Sequence, residues 1–202
     1  MRRIYLDIET YRPKQEDMFV DEKIIAIGIL IEHRSMEREI ILKVWEMDNE
    51  EALVRTFYNI ARTEIFGYAE LIGFNIMRFD IPILKQKALE YCIMQLAELN
   101  MLWDTPFTID LFQICLILNG MRYRGNSLEN WITKAKELGY NVPETYGSGG
   151  EVAKWYEAGE YDKIEQHLRM DLYAIKSLYG ILRDSTSVLK ILHVRFLNKV
   201  EK

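Results

Sequence analysis

Apolar residues near the start of the chain recur at every second position or run together, and beyond residue 50 they recur every third or fourth. The first pattern belongs to strands and the second to helices. Residues 3–9 read as a first strand, with Ile4, Leu6 and Ile8 on one face and Tyr5, Asp7 and Glu9 on the other. Arg12, Pro13 and Lys14 open a polar loop. Residues 23–32 are a nearly continuous β-branched run, which predicts a central strand covered on both faces. The polar stretch His33 to Glu37 turns the chain into a third strand over residues 38–46, ending near Trp45. Three strands before any helix predict an antiparallel meander.

Asp48 or Asn49 then caps a helix with Leu53, Val54, Phe57, Ile60 and Ala61 as its apolar face. Residues 69–75 read as a fourth strand. A long helix follows Pro82, through Leu84, Ala88, Leu89, Tyr91 and Cys92. Thr108–Asp110 form a short fifth strand running into a helix with Phe112, Cys115, Leu116 and Ile117. This order predicts an α/β fold, a mixed five-stranded sheet with helices on its faces. The last third is helical. Asn126 and Ser127 start one helix, with Leu128, Trp131, Ile132, Ala135 and Leu138 inside, and Gly139 ends it. Tyr146 to Gly150 read as a flexible loop, followed by a short helix with Val152, Trp155 and Tyr156 and a longer one from about Tyr161 to Leu182. Ser185, Thr186 and Ser187 cap an additional amphipathic helix within 183–202, bearing Ile191, Leu192, Val194 and Phe196. That helix covers either its own core or an identical subunit in a homo-oligomer. With no internal repeat or linker, residues 1–202 are expected to form a single domain.

Composition narrows the class. A chain of 202 residues has room for one domain with a sizeable core, and 28% charged with 49% apolar residues is ordinary for a soluble protein. Cys92 and Cys115 lie in apolar helical stretches, so both are expected to be buried thiols in a reducing compartment, not a disulfide or zinc site. No signal peptide precedes the first strand, and no apolar run reaches the ~18 residues of a membrane span, so a cytoplasmic location is expected. The net charge of −5 argues against a protein held to nucleic acid by bulk charge. It leaves room for an enzyme whose acids hold metal and whose basic groups are local.

Three acidic motifs carry candidate chemistry. Asp7 and Glu9 point the same way from one strand, ~7 Å apart at Cα given ~3.3 Å per residue. Hard divalent cations need such oxygen ligands on a rigid element. Taken alone, two solvated acids on a half-buried strand is the more ordinary reading. Asp80, in Gly73-Phe74-Asn75-Ile76-Met77-Arg78-Phe79-Asp80-Ile81-Pro82, stands where a strand gives way to a helix; a plain helix cap reads equally well. His167 and Asp171 lie one turn apart on a late helix whose opposite face carries Ile164, Leu168, Leu172, Ile175 and Leu178. They are either a base beside a metal ligand or a surface pair. Together the residues fit one reaction. Phosphodiester hydrolysis needs an activated water and charge neutralisation at the attacking and leaving oxygens, which two divalent ions ~3.5–4 Å apart provide. Asp7, Glu9, Asp80 and Asp171 supply enough carboxylates to hold two ions. His167 adds the side-chain type that exchanges a proton near neutral pH. Asp110 is expected to orient backbone at a strand end. Arg122, Tyr123 and Arg124 form a basic–aromatic turn that either grips phosphates and stacks bases or is an ordinary exposed loop. His33 and His193 read as surface residues.

Leu6-Asp7-Ile8-Glu9-Thr10, then Asn75-x-x-x-Phe79-Asp80-x-Pro82, then His167 followed by Asp171, resembles the DEDD superfamily of 3′–5′ exonucleases. It is most similar to the proofreading exonuclease domain of B-family DNA polymerases and its stand-alone relatives. Ile109-Asp110-Leu111 and Ser127-Leu128-Glu129 match intervening landmarks, and the likeness runs from residue 3 to about 182. The resemblance implies a ribonuclease H-like fold and two Mg²⁺ or Mn²⁺ ions. It makes Asp7 the ligand shared between them, gives Glu9 and Asp171 to the nucleophile-side ion, and gives Asp80 to the second. It puts Asn75 and Phe79 against the 3′-terminal nucleotide, Phe79 by stacking, and Thr10 near the terminal 3′-hydroxyl. One departure stands out: the family's His-type branch spaces its His and Asp by five residues and its Tyr-type branch spaces Tyr and Asp by four, whereas here a His stands at the four-residue spacing. No polymerase palm or fingers follow, so proofreading in cis is not expected. The reading is a metal-dependent 3′–5′ exonuclease acting on single-stranded DNA ends. Its rivals are an RNA 3′-end trimming enzyme on the same fold and a catalytically silent nucleic-acid-binding or scaffold protein.

Overall fold

The computed structural model describes residues 2–12 and 22–184. The C-terminal helix expected within 183–202, and with it the surface expected to mediate oligomerisation, lies outside the described residues except for Arg183 and Asp184, as does His193.

Five strands make one sheet in the order β3-β2-β1-β4-β5. β1 (Arg2–Tyr11), β2 (Lys23–His33) and β3 (Met36–Lys43) form the antiparallel meander. β4 (Ala69–Gly73) and β5 (Phe107–Asp110) add parallel to β1 on its other side. β1 is thus central, and it carries Asp7 and Glu9. β2 is buried along nearly its whole length, as its unbroken β-branched run requires. β3 stops earlier than expected, because Val44–Glu46 close into a 3₁₀ turn before Trp45 can extend the strand.

Each face of the sheet has its own core. Ile4, Leu6 and Ile8 pack against α1 (Glu50–Glu64), α2 (Asp80–Glu90) and α3 (Leu96–Trp103). On the other face, Tyr5, Leu30 and Ile72 meet α4 (Leu111–Leu118), α5 (Leu128–Glu137) and α7 (Tyr161–Arg183). α6 (Gly149–Glu157) sends Val152 and Trp155 into the first core. Caps set several starts: Asn49 Oδ1 accepts from the Ala52 N–H, and Ser127 Oγ accepts from the Asn130 N–H.

Several sequence expectations change. The long second helix ends at Glu90, and Cys92 lies beyond it with φ +50, exposed and not buried; Cys115 is buried as expected. α3 was not anticipated, since its apolar residues are split between the buried Leu99 and Trp103 and the exposed Leu96 and Met101. Leu89 and Ile117 point outward although they sit in apolar runs. β4 ends at Gly73, because Asn75 takes a left-handed φ of +65 and turns the chain away. The segment 146–150 is not a loose loop: Ser148 and Glu151 form a capping box, and Gly149 and Gly150 begin α6.

Candidate active site

The site begins at the C-terminal end of β1. Pairing of β1 with β2 shifts register between Glu9 and Thr10, where Glu9 faces Ala26 and Thr10 faces Ile24. Such a bulge bends a strand and re-aims its side chains. Opposite Asp7 stands Gly28. A Cβ at Gly28 would lie 2.8 Å from Leu172 Cδ1 and 3.0 Å from Leu168. The missing side chain therefore lets α7 lie close on the sheet beside Asp7, and that stretch of α7 carries His167 and Asp171.

A second approach comes from the β4–α2 connection. The Asp110 carboxylate, at the end of β5, accepts from the N–H groups of Asn75 (2.9 Å), Met77 (3.2 Å) and Phe112 (2.9 Å). It thereby holds Asn75 in its left-handed conformation and caps α4, the backbone role expected of it. The turn that follows, with Arg78 and Phe79 N–H both 3.1 Å from the Asn75 carbonyl, delivers Asp80 as the first residue of α2. Phe79, not Asp80, occupies the cap position. Asp80 Oδ1 accepts from the Ile8 N–H at 3.1 Å, which docks the start of α2 onto β1 between Asp7 and Glu9.

His167 is buried, with its ring edge-on to Trp155. Its Nδ1 lies 2.5 Å from the Tyr146 carbonyl oxygen. A carbonyl only accepts, so Nδ1 carries a proton and donates it. In the neutral ring Nε2 therefore holds the lone pair, and Nε2 lies 3.5 Å from Glu9 Oε1 and 3.8 Å from Asp171 Oδ2. Gly147, with φ +65, follows Tyr146 and packs against Trp155 so tightly that a Cβ would lie 2.2 Å from the indole.

The acids raise one another's affinity for protons. Burial, then Asp80, Glu9 and Asp171, holds Asp7 well above the usual carboxylate range. Glu9 is raised by burial and by Asp171 and Asp80. Burial pushes Asp80 up to about 7 against the Asp80 and Ile8 N–H groups, and pushes Asp171 up to about 6 against the favourable charge of His167. Asp171 Oδ1 is buried and has no hydrogen-bond partner. Mutually repelling carboxylates, Glu9 and Asp80 buried and Asp7 and Asp171 half-buried, with an orphaned oxygen suit a divalent cation, so the donor set fits one. Among the described residues no three such side chains already form a metal-binding group, so the acids make a neighbourhood and not a finished cage.

A cavity of about 340 Å³ gathers Asp7, Glu9, Asp80, His167 and Asp171 with Thr10, Asn75 and Phe79, and adds Ile8, Phe74 and Gly149. The sequence-predicted residues Arg122 and Arg124 do not line it; they lie exposed in the turn after α4. Gly28, the Tyr146 carbonyl and Trp155 were missed. Gly28 interrupts an otherwise branched strand, the one signal that marked a close approach. Nothing in the sequence marks a backbone carbonyl as a partner of His167.

A family model for the RNase_H superfamily matches residues 4–183, the span from β1 through α7. An uncharacterized protein of Methanocaldococcus jannaschii is 30% identical over 192 residues, covering 91% of this chain and 97% of that protein. Among solved structures, the family B DNA polymerase from the hyperthermophilic archaeon Pyrobaculum calidifontis superposes with a TM-score of 0.61 at 14% identity, over 89% of this chain and 24% of the polymerase. The chain thus spans about a quarter of the polymerase's length, and the likeness is one of fold. The five-stranded mixed sheet with flanking helices is the ribonuclease H-like fold. No helix among the described residues is long and apolar enough to cross a membrane. Proteins of this fold are typically nucleases that use divalent metal ions, and this chain, from Ile4 to Arg183, belongs to the RNase H superfamily.

Proposed function

We propose that the protein is a divalent-cation-dependent 3′–5′ exonuclease that removes nucleotides from the 3′ end of single-stranded DNA. One observation carries the reading: four mutually repelling carboxylates and the free nitrogen of an anchored histidine face one cavity. Asp7, Glu9, Asp80 and Asp171 are the residues that would hold Mg²⁺ or Mn²⁺. Bound there, two such ions would neutralise phosphate charge and make the attacking water more acidic. His167 takes the proton of that water at Nε2, while its Nδ1–H stays on the Tyr146 carbonyl and fixes the ring. The water oxygen bonds to phosphorus as the bond to the preceding 3′-oxygen breaks. The departing 3′-oxygen takes a proton from solvent, and the products are a nucleoside 5′-monophosphate and a strand one nucleotide shorter ending in a 3′-hydroxyl. Phe79, Asn75 and Thr10 line the same cavity and hold the terminal nucleoside, Phe79 against its base.

The test uses 5′-labelled DNA and RNA strands with free or blocked 3′ ends, in Mg²⁺, Mn²⁺ or EDTA. A ladder of products shortened one nucleotide at a time, seen only with a free 3′ end and a divalent ion, is expected, with DNA cut faster. Faster cutting of RNA reassigns the substrate. Failure to cut either strand under any condition overturns the reading.

A further inference from the structure

Contacts of two kinds seat α7 on the sheet. Its apolar stripe rests on β2, with Leu168 and Leu172 against Gly28. Along one flank of that stripe, His167 and Asp171 turn towards Glu9 of β1. Along the other, Glu165, Arg169 and Lys176 turn towards β3, where Glu37, Glu39 and Lys43 share one strand face. Lys43 Nζ donates to Glu165 at 2.7 Å, Arg169 Nη2 to Glu165 at 2.8 Å and Arg169 Nε to Glu39 at 2.8 Å; Lys176 pairs with Glu37. Residue numbers rise along α7 as they fall along β3, so the pairs form a ladder. Its two rails match: Lys43 to Glu37 covers about 20 Å of strand and Glu165 to Lys176 about 16 Å of helix, at ~3.3 and ~1.5 Å per residue.

Stability is a weak reason for such a ladder. The Arg169 side chain is 41% exposed, and ion pairs so open to water contribute little. What the ladder adds is direction. Leucines resting on a glycine resist separation but not rotation of the helix about its axis, because apolar burial is non-directional. A helix with its side chains is about 10–12 Å across, so a roll of about 20° carries a surface atom about 2 Å. Asp171 would follow that movement. Its Oδ1 has no hydrogen-bond partner, and its Oδ2 lies 3.8 Å from His167 Nε2, beyond hydrogen-bond reach. Asp80, by contrast, is tied to the Ile8 N–H. The place of Asp171 is therefore set by how α7 is seated. The Tyr146 carbonyl holds the site flank at one point, His167, while the ladder holds the far flank over about three turns.

We propose that Glu39, Lys43, Glu165 and Arg169 are positioning residues: their ladder fixes the roll of α7 and with it the place of Asp171 relative to Glu9. The inference rests on the reading of Asp171 as a cation ligand. None of the four lines the carboxylate cavity, so their effect on it passes through α7. Misplacing a reacting group by about 1 Å costs about a hundredfold in rate, so a roll too small to unfold anything is large enough to matter.

Mn²⁺ binding without nucleic acid tests the ladder apart from cleavage, read by electron paramagnetic resonance well below the melting temperature. Arg169→Met keeps an apolar stem and removes the charge. It should weaken Mn²⁺ binding about 10- to 100-fold, the usual worth of a group that orients a metal ligand, and lower the single-turnover rate by a similar factor. Losing a positive charge would by itself favour a cation, so weaker binding has the opposite sign to the bulk electrostatic effect. Glu39→Gln changes the charge the other way and should also weaken Mn²⁺. The double variant should be no worse than Arg169→Met alone, because both substitutions cut one ladder. A ladder that only stabilises would lower the melting temperature and leave the Mn²⁺ affinity of the folded protein unchanged. That result, tighter binding by Arg169→Met, or losses that add in the double variant overturns the proposal. Wild type that binds Mn²⁺ but never cuts a strand sinks the nuclease reading and leaves the ladder to the Mn²⁺ measurement; wild type that binds no Mn²⁺ sinks both. Wild type that binds and cuts, with Arg169→Met binding Mn²⁺ equally well, sinks the ladder alone.

Discussion

Tyr146 lends the site only a backbone carbonyl, yet that carbonyl decides which nitrogen of His167 is free. With Nδ1–H committed at 2.5 Å, the ring neither flips nor changes tautomer without losing this half-buried hydrogen bond. His167→Asn separates anchoring from chemistry. The Asn amide keeps a donor near the Nδ1 position and has nothing at Nε2. We expect its melting temperature to stay near wild type while the single-turnover rate falls about 10²–10⁴-fold, the usual worth of a positioned base. A wild-type rate in this variant would make His167 a structural residue. Asp7→Asn should behave differently: it removes one of four repelling charges, so the metal-free protein should melt higher while hydrolysis drops to background. Calorimetry and the end-labelled assay on the same preparation check both signs, and a lower melting temperature would show that Asp7 is held by favourable contacts.

Elements bring these residues together, and the closest constraint is the approach of α7 to the sheet at Gly28. Gly28→Val would drive a branched side chain into Leu168 and Leu172, whose atoms already lie 2.8–3.0 Å from where a Cβ would stand. Overpacking of this kind costs about 1–3 kcal/mol. Because the nearest contacts are the side chains of Leu168 and Leu172, which directly follow His167 and Asp171 on α7, α7 should shift and part both from Glu9. We expect cleavage to fall at least tenfold while the protein remains folded, and Leu172→Ala in the Gly28→Val background to recover part of it, since neighbours couple. A double variant no better than the product of the singles would refute that coupling. The strands themselves were legible because burial is written into their periodicity: β2 is a branched run and is buried on both faces, and the acids of β1 alternate with Ile4, Leu6 and Ile8. The helix boundaries around Cys92 and Tyr146 were not. There the outcome depends on left-handed residues and on tertiary partners such as Trp155, which no local pattern specifies. Likewise the spacing of His167 and Asp171 put them on one helix face, but their distance from Glu9 depends on a glycine more than a hundred residues away in sequence.

For the molecule as a whole, the site is a standing electrostatic cost, and its pH dependence has a definite sign. Asp80 and Asp171 titrate at about 7 and about 6 in the folded state, above the ordinary carboxylate range they adopt when unfolded. The folded protein then binds more protons than the unfolded chain within that window, so this contribution to stability is lost as pH rises through it. Glu165 works the other way: its hydrogen bond from Lys43 lowers it, giving stability that is present above the usual glutamate range and lost in acid. The measured curve sums both, and Asp80→Asn isolates the first, because its amide oxygen still accepts from the Ile8 N–H. We expect the variant to melt above wild type at about pH 8 and the gap to close towards about pH 5, where Asp80 is protonated in the folded protein. Mn²⁺ at a hundredfold excess over its dissociation constant should stabilise the wild type by about 2.7 kcal/mol, and the variant by less at the same concentration because one ligand charge is gone. Scanning calorimetry across pH with Mn²⁺ or EDTA reads all of this. A gap that widens in acid, or equal stabilisation of both proteins by Mn²⁺, would remove Asp80 from the cation site.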